Sequence, residues 1–172
     1  MKEKQTVPQR ITHPIPPTYD ENSEILILGS FPSVRSREMG YFYGHPQNRF
    51  WKITAALYNE PVPMTIEERR AFLLRNHIAA CDVIAQCTII GSSDSSIKDV
   101  VPNDLEKLIS GSKIGKIFVN GRKAEEYYIK YQQPVLGREA ICLPSSSPAN
   151  AAWSLERLVK VWGELIIGSK NV

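Results

Sequence analysis

Four short apolar runs, each trailed by a stretch of helical periodicity, predict an α/β fold of three layers: a central four-stranded parallel sheet flanked by helices. Two observations carry this. The runs are of strand length and alternate with helical patterns, which is how parallel strands are joined. The unusual polar residues also gather just beyond the carboxyl ends of those runs, where parallel sheets bind ligands.

The chain opens with residues 1–20, rich in Pro and polar groups. Pro14, Pro16 and Pro17 make this an extended arm, neither helix nor central strand, that wraps the surface and frays at its start. His13 within it reads as a surface histidine. Residues 21–172 form a single domain. Its first strand is Glu24 to Leu28, stopped by the turn Gly29-Ser30-Phe31-Pro32-Ser33, where Gly29 supplies backbone freedom and Pro32 fixes φ. A helix is predicted from about Gln47 to Tyr58, with Pro46 in its first turn and Phe50, Ile53, Ala56 and Leu57 on one side. A second helix starts near Thr65, where Thr65 and Glu68 form a capping box. The second strand is Ile78 to Ile84, followed by the loop Gly91 to Ser96. A third helix starts at Asn103 and stops at Gly111. The third strand, Lys116 to Val119, ends at Asn120-Gly121 and leads into a helix from Arg122 to Tyr131. The fourth strand, Ala140 to Leu143, ends at Pro144. The last helix runs from Asn150 or Ala151 to Ile167, with Leu155, Leu158, Val159, Trp162, Leu165 and Ile166 as its core-facing stripe.

A chain of 172 residues with 42% hydrophobic and 23% charged content is long enough for one ordinary core. No apolar run reaches the roughly 18 residues of a membrane span, and the polar N-terminus lacks a signal-peptide core, so no membrane contact and a cytoplasmic location are expected. A net charge of +3 permits contact with nucleic acid without requiring it. Cys81, Cys87 and Cys142 lack CxxC or metal-ligand spacing, and Cys81 and Cys142 lie in apolar runs as buried thiols; no metal, cofactor or disulfide is expected. A monomer is expected.

Three segments make the sequence familiar: Gly29-Ser30-Phe31-Pro32-Ser33, the run from Tyr43 through His45-Pro46-Gln47-Asn48-Arg49-Phe50-Trp51 to Lys52, and Pro144-Ser145-Ser146-Ser147-Pro148-Ala149-Asn150-Ala151. Together they resemble the uracil-DNA glycosylase superfamily, above all its hypoxanthine-DNA glycosylase branch. The resemblance spans roughly Glu24 to Trp162, and its second segment is the specific one. It implies a four-stranded parallel sheet with a base pocket at the strand ends, and DNA carrying a deaminated base as the partner.

Cutting a base from DNA requires swinging it out of the stack, supporting the departing base or holding a water at the sugar, and gripping the flanking phosphates. Asn48 is the first candidate for the chemical step, positioning water or supporting the base; the alternative is a helix cap, a common use of Asn. The resemblance puts a water-activating Asp or Asn at the third place of the first motif in many members. Here Phe31 stands there, as the hypoxanthine branch also lacks that group. The resemblance makes Tyr43 a stacking platform and places Asp82 at the base edge, where a carboxylate suits a base presenting N–H groups. Ser30, Phe31 and His45 complete the expected base contacts; His45 can equally just orient its loop. Ser145 occupies the place of a stronger His or Asn donor and is carried as a second catalytic candidate. Ser33, Arg49, Arg122, Ser147, Ala149 and Asn150 are the expected DNA contacts, with Ser147 aided by amides at the start of the last helix. Ala149 is a small residue where the family often has a larger wedge, which favours mismatched or single-stranded substrate. Arg35, Arg37 and Lys123 extend the possible phosphate track.

These residues point to a monofunctional DNA glycosylase acting on hypoxanthine, with uracil or xanthine as further bases. The competing reading is a non-catalytic nucleic-acid or nucleotide-binding α/β module, favoured by Phe31, Ser145 and Ala149.

Overall fold

In the computed structural model, which describes residues 7–168, a parallel sheet forms the centre. Its strands are β2 (Ile25–Gly29), β3 (Ile78–Asp82), β6 (Lys116–Asn120) and β7 (Ile141–Leu143), in the order β3-β2-β6-β7 and all parallel. Every residue of β2 and β3 is buried, as expected of strands covered on both faces. Alternation along β2 splits the core in two. Ile25 and Ile27 face a cluster built on α2 (Phe50–Leu57), α3 (Ile66–Arg75) and α7 (Leu155–Ile166). Leu26 and Leu28 face α4 (Leu105–Ser110), α5 (Arg122–Tyr131) and a second sheet.

That second sheet is the main departure from the expected layering. The apolar run Ile78 to Ile84 is not one strand: β3 stops at Asp82 and β4 (Ile84–Ile89) turns away to pair antiparallel with β1 (Gln9–Thr12) and β5 (Lys98–Pro102). The N-terminal arm therefore enters the fold. Its residues 9–12 form an edge strand, Ile15 is buried in the core, and Thr18 bridges to Ala80. The expected fraying concerns residues 1–6, which lie outside the described residues.

Helix boundaries shift in informative ways. Two short helices were not anticipated, α1 (Val34–Met39) after the first turn and α6 (Gln133–Leu136). Helix α2 starts at Phe50 rather than Gln47, so Pro46 lies in a turn outside it. The capping box at Thr65 and Glu68 is present. Helix α4 takes Asp104 rather than Asn103 as its cap. Helix α7 begins at Leu155 behind the cap Ser154, leaving residues 144–153 as a loop. Of the thiols, Cys81 and Cys87 are buried and Cys142 is half-buried; all three are free, and burial pushes their pKa values up, Cys142 to about 11. Among the described residues, no helix is long and apolar enough to cross a membrane.

Candidate active site

The carboxyl ends of the four parallel strands close around a cavity of about 340 Å³, near the lower end of the ~300–1,000 Å³ usual for small-molecule pockets. Gly29 at the end of β2, Asp82 at the end of β3, Asn120 at the end of β6 and the loop after β7 all line it, joined by Ser30 to Ser33, Phe42, Tyr43, His45, Asn48 and Asp94. A broader groove of about 780 Å³ shares Ser30, Asp94, Asn120, Ser145, Ser147 and Ala149 with this cavity and runs on past Arg122, Lys123 and Trp153.

Asn48 ties down the helix start with its oxygen and leaves its amide nitrogen on the cavity wall. Its Oδ1 accepts from the backbone N–H of Phe50 at 3.0 Å, tying down the start of α2, and from the Ser146 hydroxyl at 2.8 Å. Ser146 is held in turn by Asn120, whose Nδ2 donates to Ser146 Oγ at 2.9 Å and whose Oδ1 accepts from Ser146 N at 3.0 Å. Both lone pairs of Oδ1 are thus occupied, and the amide N–H₂ is what Asn48 has left for a ligand. Such a group donates; it cannot take a proton from water.

Tyr43 adopts φ 53°, a left-handed conformation costly outside Gly. Its ring stacks on Phe50 with centroids 4.0 Å apart, and its buried hydroxyl has no hydrogen-bond partner among the described residues. Burial, and next the charge of Asp82, push the phenol pKa far up, so the hydroxyl keeps its proton and remains a donor. Asp82 is buried, and its Oδ2 lies 2.6 Å from His13 Nε2. His13 is therefore no surface histidine: its side chain is 5% exposed, packed edge-on to Phe31 beneath the cavity. His45 accepts from Gln47 N through Nδ1 at 3.1 Å, which places its proton on Nε2 and leaves it a donor on the cavity wall. Phe31 is a buried apolar wall there and carries no group that activates water.

The serine loop is tied internally. Ser145 Oγ accepts from Ser147 N, Ser147 Oγ accepts from Ala149 N, and Asn150 Nδ2 donates to the Ser145 carbonyl. Arg49, expected at phosphate, donates from its guanidinium to the carbonyls of Ser147, Asn150 and Trp153 and so clasps this loop. Asn150 shares that structural duty. Ser147 lies in the loop that precedes α7, whose first residue is Leu155. Ser33 caps α1 through Ser36 N while lining the cavity, Arg122 is exposed at the first turn of α5, and Ala149 is exposed at the rim of both cavities. Arg37 donates to the Gly91 carbonyl under Phe31, whereas Arg35 stays exposed.

Sequence reading missed His13, Asp94, Asn120 and Ser146. Asn120 had a signal, since it ends a strand; Ser146 lay one residue from the candidate chosen in the same loop. Asp94 had none beyond its place in a Ser-rich loop. Its carboxyl accepts from Ser30 Oγ at 3.2 Å, but burial outweighs that bond and raises its pKa above the ordinary 3.8. A raised carboxyl pKa means the native state holds the proton more tightly than the unfolded chain, so this contribution is present at low pH and lost as pH rises through the folded value. Asp94→Asn is expected to raise the Tm near neutral pH, the gain shrinking as pH falls toward 3.8; thermal melts across that range check it.

The uracil DNA glycosylase superfamily model matches residues 16–166. A "Hypoxanthine DNA glycosylase" of Methanosarcina acetivorans is 40% identical over 149 residues, covering 83% of this chain and 90% of the relative. Another protein of that name, from Methanosarcina barkeri, is 36% identical over 154 residues, covering 87% and 94%. The solution NMR structure of a Methanosarcina acetivorans protein, described as a candidate uracil DNA glycosylase, superposes with a TM-score of 0.72 at 37% identity, over 88% of this chain and 96% of that one. A cavity at the strand ends, walled by the same segments that resembled this family in sequence, and a match over nearly the whole fold lead to one assignment: the chain belongs to the uracil DNA glycosylase superfamily.

Proposed function

We propose that this protein is a monofunctional DNA glycosylase that hydrolyses the N-glycosidic bond of deaminated bases, hypoxanthine foremost, and leaves an abasic site. The observation that carries this reading is the pairing, in one cavity of single-base size, of a spare amide donor on Asn48 with a carboxylate on Asp82. Bond cleavage puts positive charge on the sugar and negative charge on the departing base, and donors fixed in advance at the base stabilise that charge most. Asn48 supplies such a donor, held by Ser146 and Asn120; His45 Nε2–H is a second. Ser33, Arg122 and Ser147 flank the opening where phosphates adjacent to an extruded nucleotide would run. Ser145 positions the loop through its contact with Ser147 N and offers the base only a weak donor. Among the described residues no lysine lines the first cavity, which supports hydrolysis by water without a covalent intermediate or strand cleavage.

A labelled oligonucleotide with one deoxyinosine tests this. The expected product breaks at the lesion only after alkali, and release is faster from single strands or mismatches than from a stable pair, because Ala149 presents only a methyl group as a wedge and extrusion then costs less. Tight binding without base release would instead establish the non-catalytic module.

A further inference from the structure

The cavity and the groove meet along a short shared wall, made among the described residues by Ser30, Asp94, Asn120, Ser145, Ser147 and Ala149. The carboxyl of Asp94 is the group on that wall able to take a proton. Asn120 is bound through both amide atoms to Ser146, and the serines offer only hydroxyls. Asp82 and His45 line the cavity without reaching the groove, and Glu125 lines the groove without reaching the cavity. Asp94 is held from two sides. It begins a single 3-10 turn, Asp94–Ser96, in the loop between β4 and β5. Tyr127 of α5 donates from its hydroxyl to the Asp94 carbonyl at 3.0 Å, and Ser30 Oγ donates to Oδ1 at 3.2 Å. Among the described residues Ser30 is the hydrogen-bond partner of the carboxyl, which leaves Oδ2 open.

We propose that Asp94 is the catalytic base of the hydrolysis, holding the attacking water on Oδ2 and taking its proton. The proposal rests on the glycosylase reading and supplies the group that Phe31 cannot be. A nucleotide with its base in the cavity and its phosphates along the groove must cross the shared wall with its sugar, so the glycosidic bond lies beside Asp94. The water oxygen bonds to the sugar carbon as the bond from that carbon to the base nitrogen breaks. The electron pair of the broken bond leaves with the base, supported by the Asn48 amide, and one water proton passes to Asp94. The sugar keeps the hydroxyl, and Asp94 returns its proton through solvent to the departing base, so one water is consumed. Burial and then the charge of Asp82 across the cavity strengthen Asp94 as a base, while Lys123 on α5 opposes them. The other titratable groups facing it are Tyr127 on α5 and Cys87 on β4, whose pKa values burial raises, and Arg37 on α1, bonded to the Gly91 carbonyl of the same loop.

Asp94→Asn keeps an oxygen for Ser30 and gives up only the proton acceptor. Its single-turnover release of hypoxanthine is expected to fall by about 10²-fold or more, the contribution typical of a positioned acid–base group. The protein should nevertheless melt no lower than the parent near neutral pH. The parent loses rate as pH falls toward 3.8, and this limb is missing from the residual rate of Asp94→Asn, whereas a limb due to Asp82 would persist in both. Asp94→Ala is the second variant, and it leaves a space open to the groove. Added formate should restore several-fold of its lost rate, and chloride at equal ionic strength should not. An Asp94→Asn rate near that of the parent, the same low-pH limb in both proteins, or an Asp94→Ala protein indifferent to formate overturns the proposal. Failure of the parent to release any base would sink the glycosylase reading instead, so the two failures are separable.

Discussion

Asn48→Ala is expected to slow hypoxanthine release by about 10²–10³-fold in single-turnover assays, the range lost when one preorganised donor is removed from a developing negative charge. The loss should fall on the rate of the chemical step more than on DNA affinity, since the half-buried amide lines the cavity itself. Asn48→Asp is the sharper probe. An aspartate keeps the two bonds that Oδ1 receives from Phe50 N and Ser146 Oγ and exchanges only the free N–H₂ for an acceptor. If Asn48 works as a donor to the leaving base, the aspartate variant is as slow as the alanine one. A rate near or above that of the parent would assign residue 48 to water activation instead, the task that Phe31 cannot perform.

The distinction between those two roles was not visible in the sequence, and the reason is physical. Asn is chosen at helix starts for its acceptor oxygen, and a single-sequence reading treats capping and catalysis as rivals for the whole side chain. In the fold the amide oxygen serves the helix start and Ser146, which Asn120 holds from the end of β6, and the N–H₂ is left over. Local signals were read well where local chemistry decides: the capping box at Thr65, the helix from Arg122 to Tyr131 and the buried parallel strands all followed from short-range pattern. Readings failed where a tertiary contact overrides the pattern. The run Ile78 to Ile84 is continuous in hydrophobicity, yet Val83 N–H bonds to the Gly29 carbonyl and Ile84 N–H to the Ser30 carbonyl, and the chain leaves for a second sheet. Arg49 sits in the most specific motif and reads as a phosphate ligand, but three carbonyls of a loop about a hundred residues away claim its guanidinium. His13 was discounted because a proline-rich arm suggests an exposed wrap; pairing of residues 9–12 with β4 is what carries it beneath the cavity.

Gly29→Ala is expected to abolish most base release and to destabilise the protein by about 1–3 kcal/mol, the usual cost of overpacking a close-packed interior. The turn beginning at Gly29 suggested that its value is backbone freedom. The structure gives a different reason: Gly29 is the last residue of β2, paired with Asp82, and is not among the residues with positive φ. What it provides is space. A methyl group there would lie closer than 3.0 Å to Asp82 Oδ1, and the carboxylate could escape only by leaving His13 or by forcing β2 and β3 apart. Either movement removes the acceptor from the floor of the cavity. The steric origin can be separated from any intrinsic defect of alanine in this strand. In an Asp82→Ala background the obstructing oxygens are gone, so the stability cost of Gly29→Ala should drop by about 0.5–3 kcal/mol in a double-mutant cycle, the coupling typical of residues in contact. Equal costs in the two backgrounds, measured by denaturant unfolding, would mean that Gly29 is required for some reason other than the approach of Asp82.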